Sequence, residues 1–181
     1  MSGNFSARLR GLWYQFKYQF LLRRAVMQGS LHAHAKLEIK GPGKVVFGSN
    51  VRIMPTAFGG DYVSLYLNRR ESVIRIGDNA ILRGTRVGCE SSIDIGEGTV
   101  VESASLFDTD FHHIDASRRD AMDEKAVKPL ILGAGSYVGW ECCIGKGVSL
   151  GDRSVVLPRT LLTWKTTGPE AVVLGVPGRV L

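Results

Sequence analysis

The chain has 181 residues, 44% hydrophobic and 22% charged, an ordinary globular composition that suits one core-forming domain. No apolar run approaches the roughly 18 residues of a membrane-spanning helix, and three cysteines, with Cys142 and Cys143 adjacent, make a poor disulfide framework and point to a reducing compartment. The net charge of +6 comes without any nucleic-acid recognition motif, so no nucleic-acid partner is expected, and an anionic cofactor or anionic membrane surface accounts for it better.

The charge is uneven. No acidic residue precedes Glu38, whereas Arg8, Arg10, Lys17, Arg23, Arg24 and Lys36 all lie before it. Residues 6–28 read as an amphipathic helix, with Leu9, Leu12, Trp13, Phe16, Phe20 and Met27 on one arc and Arg10, Lys17 and Arg24 beside it. Lys17 and the glutamines break any signal-peptide core. Two roles are compatible with this pattern: a cap over the open end of the unit downstream, or an interfacial helix on the inner membrane surface. The division expected is an N-terminal helix at 1–30 and a second unit at 31–181.

From Val45 a six-residue period begins imperfectly, with Phe47-Gly48, Val51, and Ile53 followed by Ala57. Residues 59–72 lose it, which predicts a bulge or insertion. The period resumes at Ile76-Gly77, continues at Leu82, slips near Gly88 and recovers at Ile95-Gly96 and Val101. Residues 107–130, FDTDFHHIDASRRDAMDEKAVKPL, have no register and predict an exposed excursion carrying two of the four histidines. Long excursions inside a repeat array are commonly functional.

From Leu132 the period is strict: Leu132, Val138, Ile144, Leu150, Val156 and Leu162, four of them followed by glycine, with Ser136, Cys142, Val148, Ser154 and Thr160 at the fifth place. A period of six fits neither the 3.6 of a helix nor the 2 of a plain strand. Short strands joined by tight corners, each coil stacking its aliphatics on the last, do produce it. Cys142 then falls on a small inward position and reads as core. A Pro/Gly-bearing end comes last, Gly168-Pro169 and Gly175-Val176-Pro177-Gly178-Arg179.

In these hexads, in VGWECCIGKGVSLGDRSVV and in GPEAVVLGVPGRVL, the stretch from about 45 to 181 resembles the hexapeptide-repeat acyltransferases, the group of maltose, galactoside, serine and xenobiotic O-acetyltransferases. The resemblance implies an all-β fold, a single-stranded left-handed parallel β-helix, here with an N-terminal helix and an extended loop near 107–130. It implies a homotrimer and transfer of an acetyl group from acetyl-CoA to a sugar hydroxyl, without a metal. Such a transfer needs a base for the hydroxyl proton and a donor for the oxyanion, and histidine is the natural base near neutral pH.

In that family the base lies in a motif of the form His-x-Ile-Asp or Asp-x-Asp-x-His. Asp108-Thr109-Asp110-Phe111-His112-His113-Ile114-Asp115 matches both and puts the base at His112, with His113 its rival. Asp108 and Asp110 would orient the imidazole or bind acceptor hydroxyls, although aspartate at a loop start is also a common turn residue. The resemblance sets Gly139 and Trp140 beside the thioester carbonyl, and Thr163, Lys165 and Arg179 at the cofactor's far end. Pro158-Arg159 stands where Ala-Gly is common, which removes one backbone donor and adds a cation. For Lys165 and Arg179 a plain solvated surface is the alternative.

Two other classes compete. A γ-type carbonic anhydrase on this fold needs three histidine ligands, and histidine occurs only at 32, 34, 112 and 113. A non-catalytic scaffold or binding module is the other, since one fold hosts several functions. The basic amphipathic N-terminus favours a lipid-linked glycan as acceptor, hence a cytoplasmic enzyme at the inner membrane surface working in surface-polysaccharide or lipopolysaccharide biosynthesis.

Overall fold

In the computed structural model, which describes residues 2–56, 62–112, 115–118 and 127–181, the chain visits three sheets in strict rotation. The first holds Ala25–Met27, Lys44–Phe47, Val73–Ile76, Ser92–Ile95, Leu130–Leu132 and Ser149–Leu150. The second holds Leu31–Ala33, Val51–Met54, Ile81–Arg83, Val100–Glu102, Tyr137–Val138, Val155–Val156, Val172–Gly175 and Gly178–Val180. The third holds Lys36–Lys40, Tyr62–Leu67, Arg86–Cys89, Ser105–Phe107, Cys143–Ile144 and Leu161–Leu162. Neighbours pair in parallel until the last step, where Val172–Gly175 and Gly178–Val180 form an antiparallel hairpin. The result is a three-faced stack of coils, as the hexads predict.

The period has a simple cause. Ile131 pairs with Ser149, Tyr137 with Val155 and Cys143 with Leu161, so 18 residues, or three hexads, close one coil. The series from Leu132 to Leu162 points inward and is at most 2% exposed. The small fifth residue turns the corner. Ser136 and Thr160 donate their hydroxyls to the carbonyls of Gly133 and Leu157, three residues back, at 2.6 and 2.7 Å. Such bonds satisfy polar groups that would otherwise be buried bare. Cys142 occupies the same place and is buried.

The stack begins earlier than Val45. Ala25, Leu31 and Leu37 are spaced by six, as are Ala33, Ile39, Val45 and Val51, and all are buried. Within the stretch 59–72, of which residues 59–61 lie outside the described residues, Tyr62–Leu67 stays in the stack: it pairs with Lys36–Lys40 and Arg86–Cys89, burying Val63, Leu65 and Leu67. The long excursion leaves no scar, because Ile93 still pairs with Leu130 across it.

The N-terminal helix α1 spans Ser2–Gln15 and runs into a π-helical segment, Phe16–Leu21. It stops short of 28: Arg23 has φ +51, and Ala25–Met27 is already a strand paired with residues 45–47. The helical segment covers the edge of the first coil with a face built from Ala7, Gly11, Tyr14 and Tyr18. The Tyr18 hydroxyl donates to Leu37 O at 3.1 Å and accepts the Ile39 N–H at 3.2 Å, and the Tyr14 hydroxyl accepts the Leu37 N–H at 3.2 Å. Those phenols satisfy an edge that lacks a neighbouring strand. On the opposite side Phe5, Leu9, Leu12, Trp13, Phe16 and Phe20 are 53–68% exposed. No described helix is long and apolar enough to cross a membrane.

Candidate active site

The excursion leaves the third sheet after Ser105–Phe107 and rejoins the first at Leu130–Leu132, so its root lies on the edge between those sheets. Asp108 continues an inward column, following Leu67 and Cys89 in the earlier coils. Its buried carboxylate accepts the Glu90 and Ser91 N–H groups, both at 2.7 Å, and faces the Cys89 thiol at 3.5 Å. Burial raises the Asp108 pKa above its ordinary value, against the opposing pull of the two N–H groups. The Cys89 thiol is pushed upward too, by burial first and then by the Asp108 charge. The Lys128 N–H donates to Asp108 O at 2.9 Å, and Thr109 bridges Val127 in antiparallel fashion. Outgoing and returning strands are thus pinned together.

Beyond this root the chain turns outward. Phe111 has φ +62, a strained value for a bulky residue, and its N–H is held by Thr109 Oγ1 at 3.1 Å. The His112 N–H donates to Asp110 O at 2.8 Å, and the His112 side chain is exposed. Asp110 forms an ion pair with Lys146, whose side chain is only 7% exposed. Lys146 and Lys128 place their ammonium groups 5.0 and 4.4 Å from the Trp164 ring centroid. Attraction of cations to an aromatic face in a partly desolvated corner stabilises this cluster. His113 and Ile114 lie outside the described residues.

A groove of about 460 Å³ runs over the outer face of the third sheet and the edge it shares with the second, lined by Tyr62, Arg86, Ser105, Phe107, Glu141 and Cys143 among others. Phe107 packs edge-on against Phe111 at 4.8 Å, linking the groove to the root of the excursion. Gly88 makes room for that pair, since a Cβ there would meet Phe107 at 2.8 Å and Phe111 at 2.9 Å. The slip in the period at Gly88 therefore marks a close approach. Burial raises the pKa of Cys143, which keeps this groove-lining sulfur a thiol near neutral pH and a poor nucleophile.

The residues singled out for cofactor binding fall on different edges. Thr163 and Lys165 share the edge of the excursion, with Thr163 Cγ2 lying over Gly145. Gly139, Trp140 and Pro158 lie on the edge between the second and third sheets, Pro158 stacked on Gly139 so closely that a Cβ would meet it at 2.9 Å. There the Arg159 guanidinium sits 4.7 Å from the Trp140 ring centroid and pairs with Glu141 at 2.9 Å. Arg179 is exposed on the terminal hairpin. Lys128, Lys146 and Trp164 are not marked by any motif in the sequence. Lys146 does carry a local signal: a lysine between Gly145 and Gly147, in a corner too tight to throw it into solvent.

His32 sits on the second sheet and His34 in the bend just after its strand, away from His112, and no group of three His, Cys, Asp or Glu among the described residues is placed to hold a metal ion.

No protein-family model and no curated protein matches the chain. Solved structures do. The N-acyltransferase AntD from Bacillus cereus, in complex with dTDP and 3-hydroxybutyryl-CoA, superposes with a TM-score of 0.67 at 17% identity, over 94% of this chain and 86% of that one. The polysialic acid O-acetyltransferase OatWY gives 0.62 at 18%, over 87% and 80%. A maltose O-acetyltransferase from Clostridium difficile 630 gives 0.56 at 18%, over 93% and 74%. The expected mostly-β stack of parallel coils behind an N-terminal helix is what the chain forms, and it is similar in fold to these acyltransferases.

Proposed function

We propose that the chain is an acetyl-CoA-dependent O-acetyltransferase that modifies a sugar hydroxyl, with His112 as general base. The feature that carries this reading is the excursion. It presents an exposed histidine next to Phe111, whose ring packs on the groove-lining Phe107, and it is tied at its root by Asp108 and by the Asp110–Lys146 pair, on a stack whose solved relatives in fold include O-acetyltransferases and a CoA-bound N-acyltransferase. Bound acetyl-CoA would supply the activated acyl group. His112 would take the proton of the acceptor hydroxyl as that oxygen attacks the thioester carbonyl, and return it to the departing thiolate sulfur, which leaves as the free thiol. A backbone N–H near Gly139 and Trp140 would meet the negative charge developing on the carbonyl oxygen. Asp110 would bind or orient, held by Lys146, while Asp108 anchors the loop. The cofactor's phosphates would find cations in Lys165 and Arg179, both exposed and without a carboxylate partner among the described residues.

The division of these residues between two edges supports a homotrimer. One copy's His112, Thr163 and Lys165 would meet the neighbouring copy's Gly139, Trp140 and Pro158, with the coils wound left-handed as in the resembling enzymes. The outward apolar arc of α1, with no acidic residue before Glu38, supports an acceptor at an anionic membrane surface, such as a lipid-linked glycan in surface-polysaccharide or lipopolysaccharide biosynthesis.

Thiol release from acetyl-CoA over a panel of acceptor sugars tests the assignment. His112→Ala should lower kcat/KM for the acceptor by about 10²- to 10⁴-fold, the usual share of a positioned acid–base group, and leave the melting temperature unchanged. His113→Ala should cost far less. Near-normal turnover in the His112 variant would remove it as base, and a parent silent over the whole panel would leave a binding scaffold.

A further inference from the structure

Beside α1 lies a second concavity, of about 560 Å³, lined by Phe5, Arg8, His32, His34, Asn50, Arg52 and Met54. Two arginines and two histidines converge there from α1, from two strands of the second sheet and, for His34, from the bend after the first of those strands, and no carboxylate is among the lining residues. Neither Arg8 nor Arg52 pairs with a carboxylate among the described residues. The positive field is uncompensated, and it registers on a neighbour. The His32 pKa is lowered, by burial first and then by Arg8, His34 and Arg52. Four cationic or hydrogen-bonding side chains around an open space suit an oxyanion with several acceptor oxygens, and the planar arginine fork matches a phosphoryl group.

The apolar surroundings narrow the choice. Phe5 belongs both to this concavity and to the exposed arc of α1. Arg8 and His32 also line a smaller adjoining hollow of about 280 Å³ with Leu12, a second member of the arc. A ligand filling the site would therefore put its anionic end on Arg8, His32, His34 and Arg52 and its apolar part along Phe5 and Leu12. A soluble phosphate uses only half of that surface.

Resting on the membrane reading of α1, we infer that the Arg8–His32–His34–Arg52 concavity binds the phosphomonoester headgroup of a membrane lipid, while the arc of α1 lies in the same bilayer. The site is separate from the excursion and would position the enzyme on its membrane.

The test uses the full chain and phosphatidylcholine vesicles doped, at matched surface charge, with either phosphatidic acid or phosphatidylserine. The parent should sediment with phosphatidic acid vesicles at about fivefold lower lipid concentration, the effect of one well-placed cation near a membrane. Arg52→Gln and His34→Gln lie outside α1 and should each abolish that preference, while binding to phosphatidylserine vesicles and the melting temperature persist. A preference that survives both substitutions overturns the inference. So does a parent without preference, although binding to both vesicles then leaves the membrane reading of α1 standing. A parent that binds neither overturns both. Inorganic phosphate that binds as tightly as the lipid, in an Arg52-dependent manner and without vesicles, would show a site for a soluble anion and overturn the lipid assignment.

Discussion

Single residues in this stack are judged by what the next coil demands of them. Asp108 occupies a rung that Leu67 and Cys89 fill with apolar side chains below it, and it is tolerated because two N–H groups meet its oxygens. Asp108→Asn replaces one acceptor by an NH₂ aimed at a donor, which should cost about 1–3 kcal/mol. The effect depends on pH. Folding raises this carboxyl's pKa, so its contribution is fully present below the ordinary value near 4 and declines as pH rises through the folded value. Urea unfolding should find the parent's advantage over Asp108→Asn larger at acid pH than at neutral pH. Lys146 acts through another residue. Lys146→Met keeps the bulk in the corner but leaves Asp110 without its partner, so kcat for thiol release should fall while the solvent exposure of Trp164, read by fluorescence quenching, stays the same. A fall in melting temperature with kcat intact would make the pair merely structural.

Among the elements, α1 shows why a pattern and its use differ. The arc that the sequence displays, Leu9 to Phe20, faces outward, and the covering face is the inconspicuous series Ala7, Gly11, Tyr14 and Tyr18. Gly11 lies so near the Leu31 carbonyl that a Cβ would fall 1.8 Å from its oxygen. Gly11→Val should therefore lower the melting temperature, by an overpacking cost of about 1–3 kcal/mol. The pair Leu12→Ser and Phe16→Ser should leave it unchanged and weaken sedimentation with anionic vesicles. Equal thermal effects of the two kinds of change would contradict the two-faced arrangement. In the coils, Val148→Asp puts an unpaired charge inside the stack and should cost about 3–5 kcal/mol, whereas Arg118→Ala, on an exposed turn, should stay within about 0.5 kcal/mol.

The coils were legible in proportion to their glycines. Where an inward aliphatic is followed by glycine, as at Leu132, Val138, Ile144 and Leu150, the period announces itself. In the first coil the same place is held by His34 and Lys40, after Ala33 and Ile39, and the repeat goes unseen although the packing is the same. The root of the excursion was legible as a motif but not as an arrangement. Asp110 and Lys146 are 36 residues apart, and only the folded corner between two sheets brings them together.

For the molecule as a whole, the two edges that share the expected site predict assembly. Light scattering at micromolar concentration should give three times the monomer mass, and a monomer that still releases thiol would refute the division of the site between copies.

The terminal hairpin has a consequence of another kind. A stack of parallel coils is in principle endless, since each finished coil offers the next one a ready row of N–H and C=O groups. Here one end is closed by tyrosine hydroxyls and the second sheet ends in a strand that reverses direction, Gly178–Val180. A copy arriving end-on finds a strand running the wrong way and a helix in its path. The protein is in this sense a fibre that has been told where to stop, and shaving either terminus should turn a discrete particle into one that polymerises along its own axis.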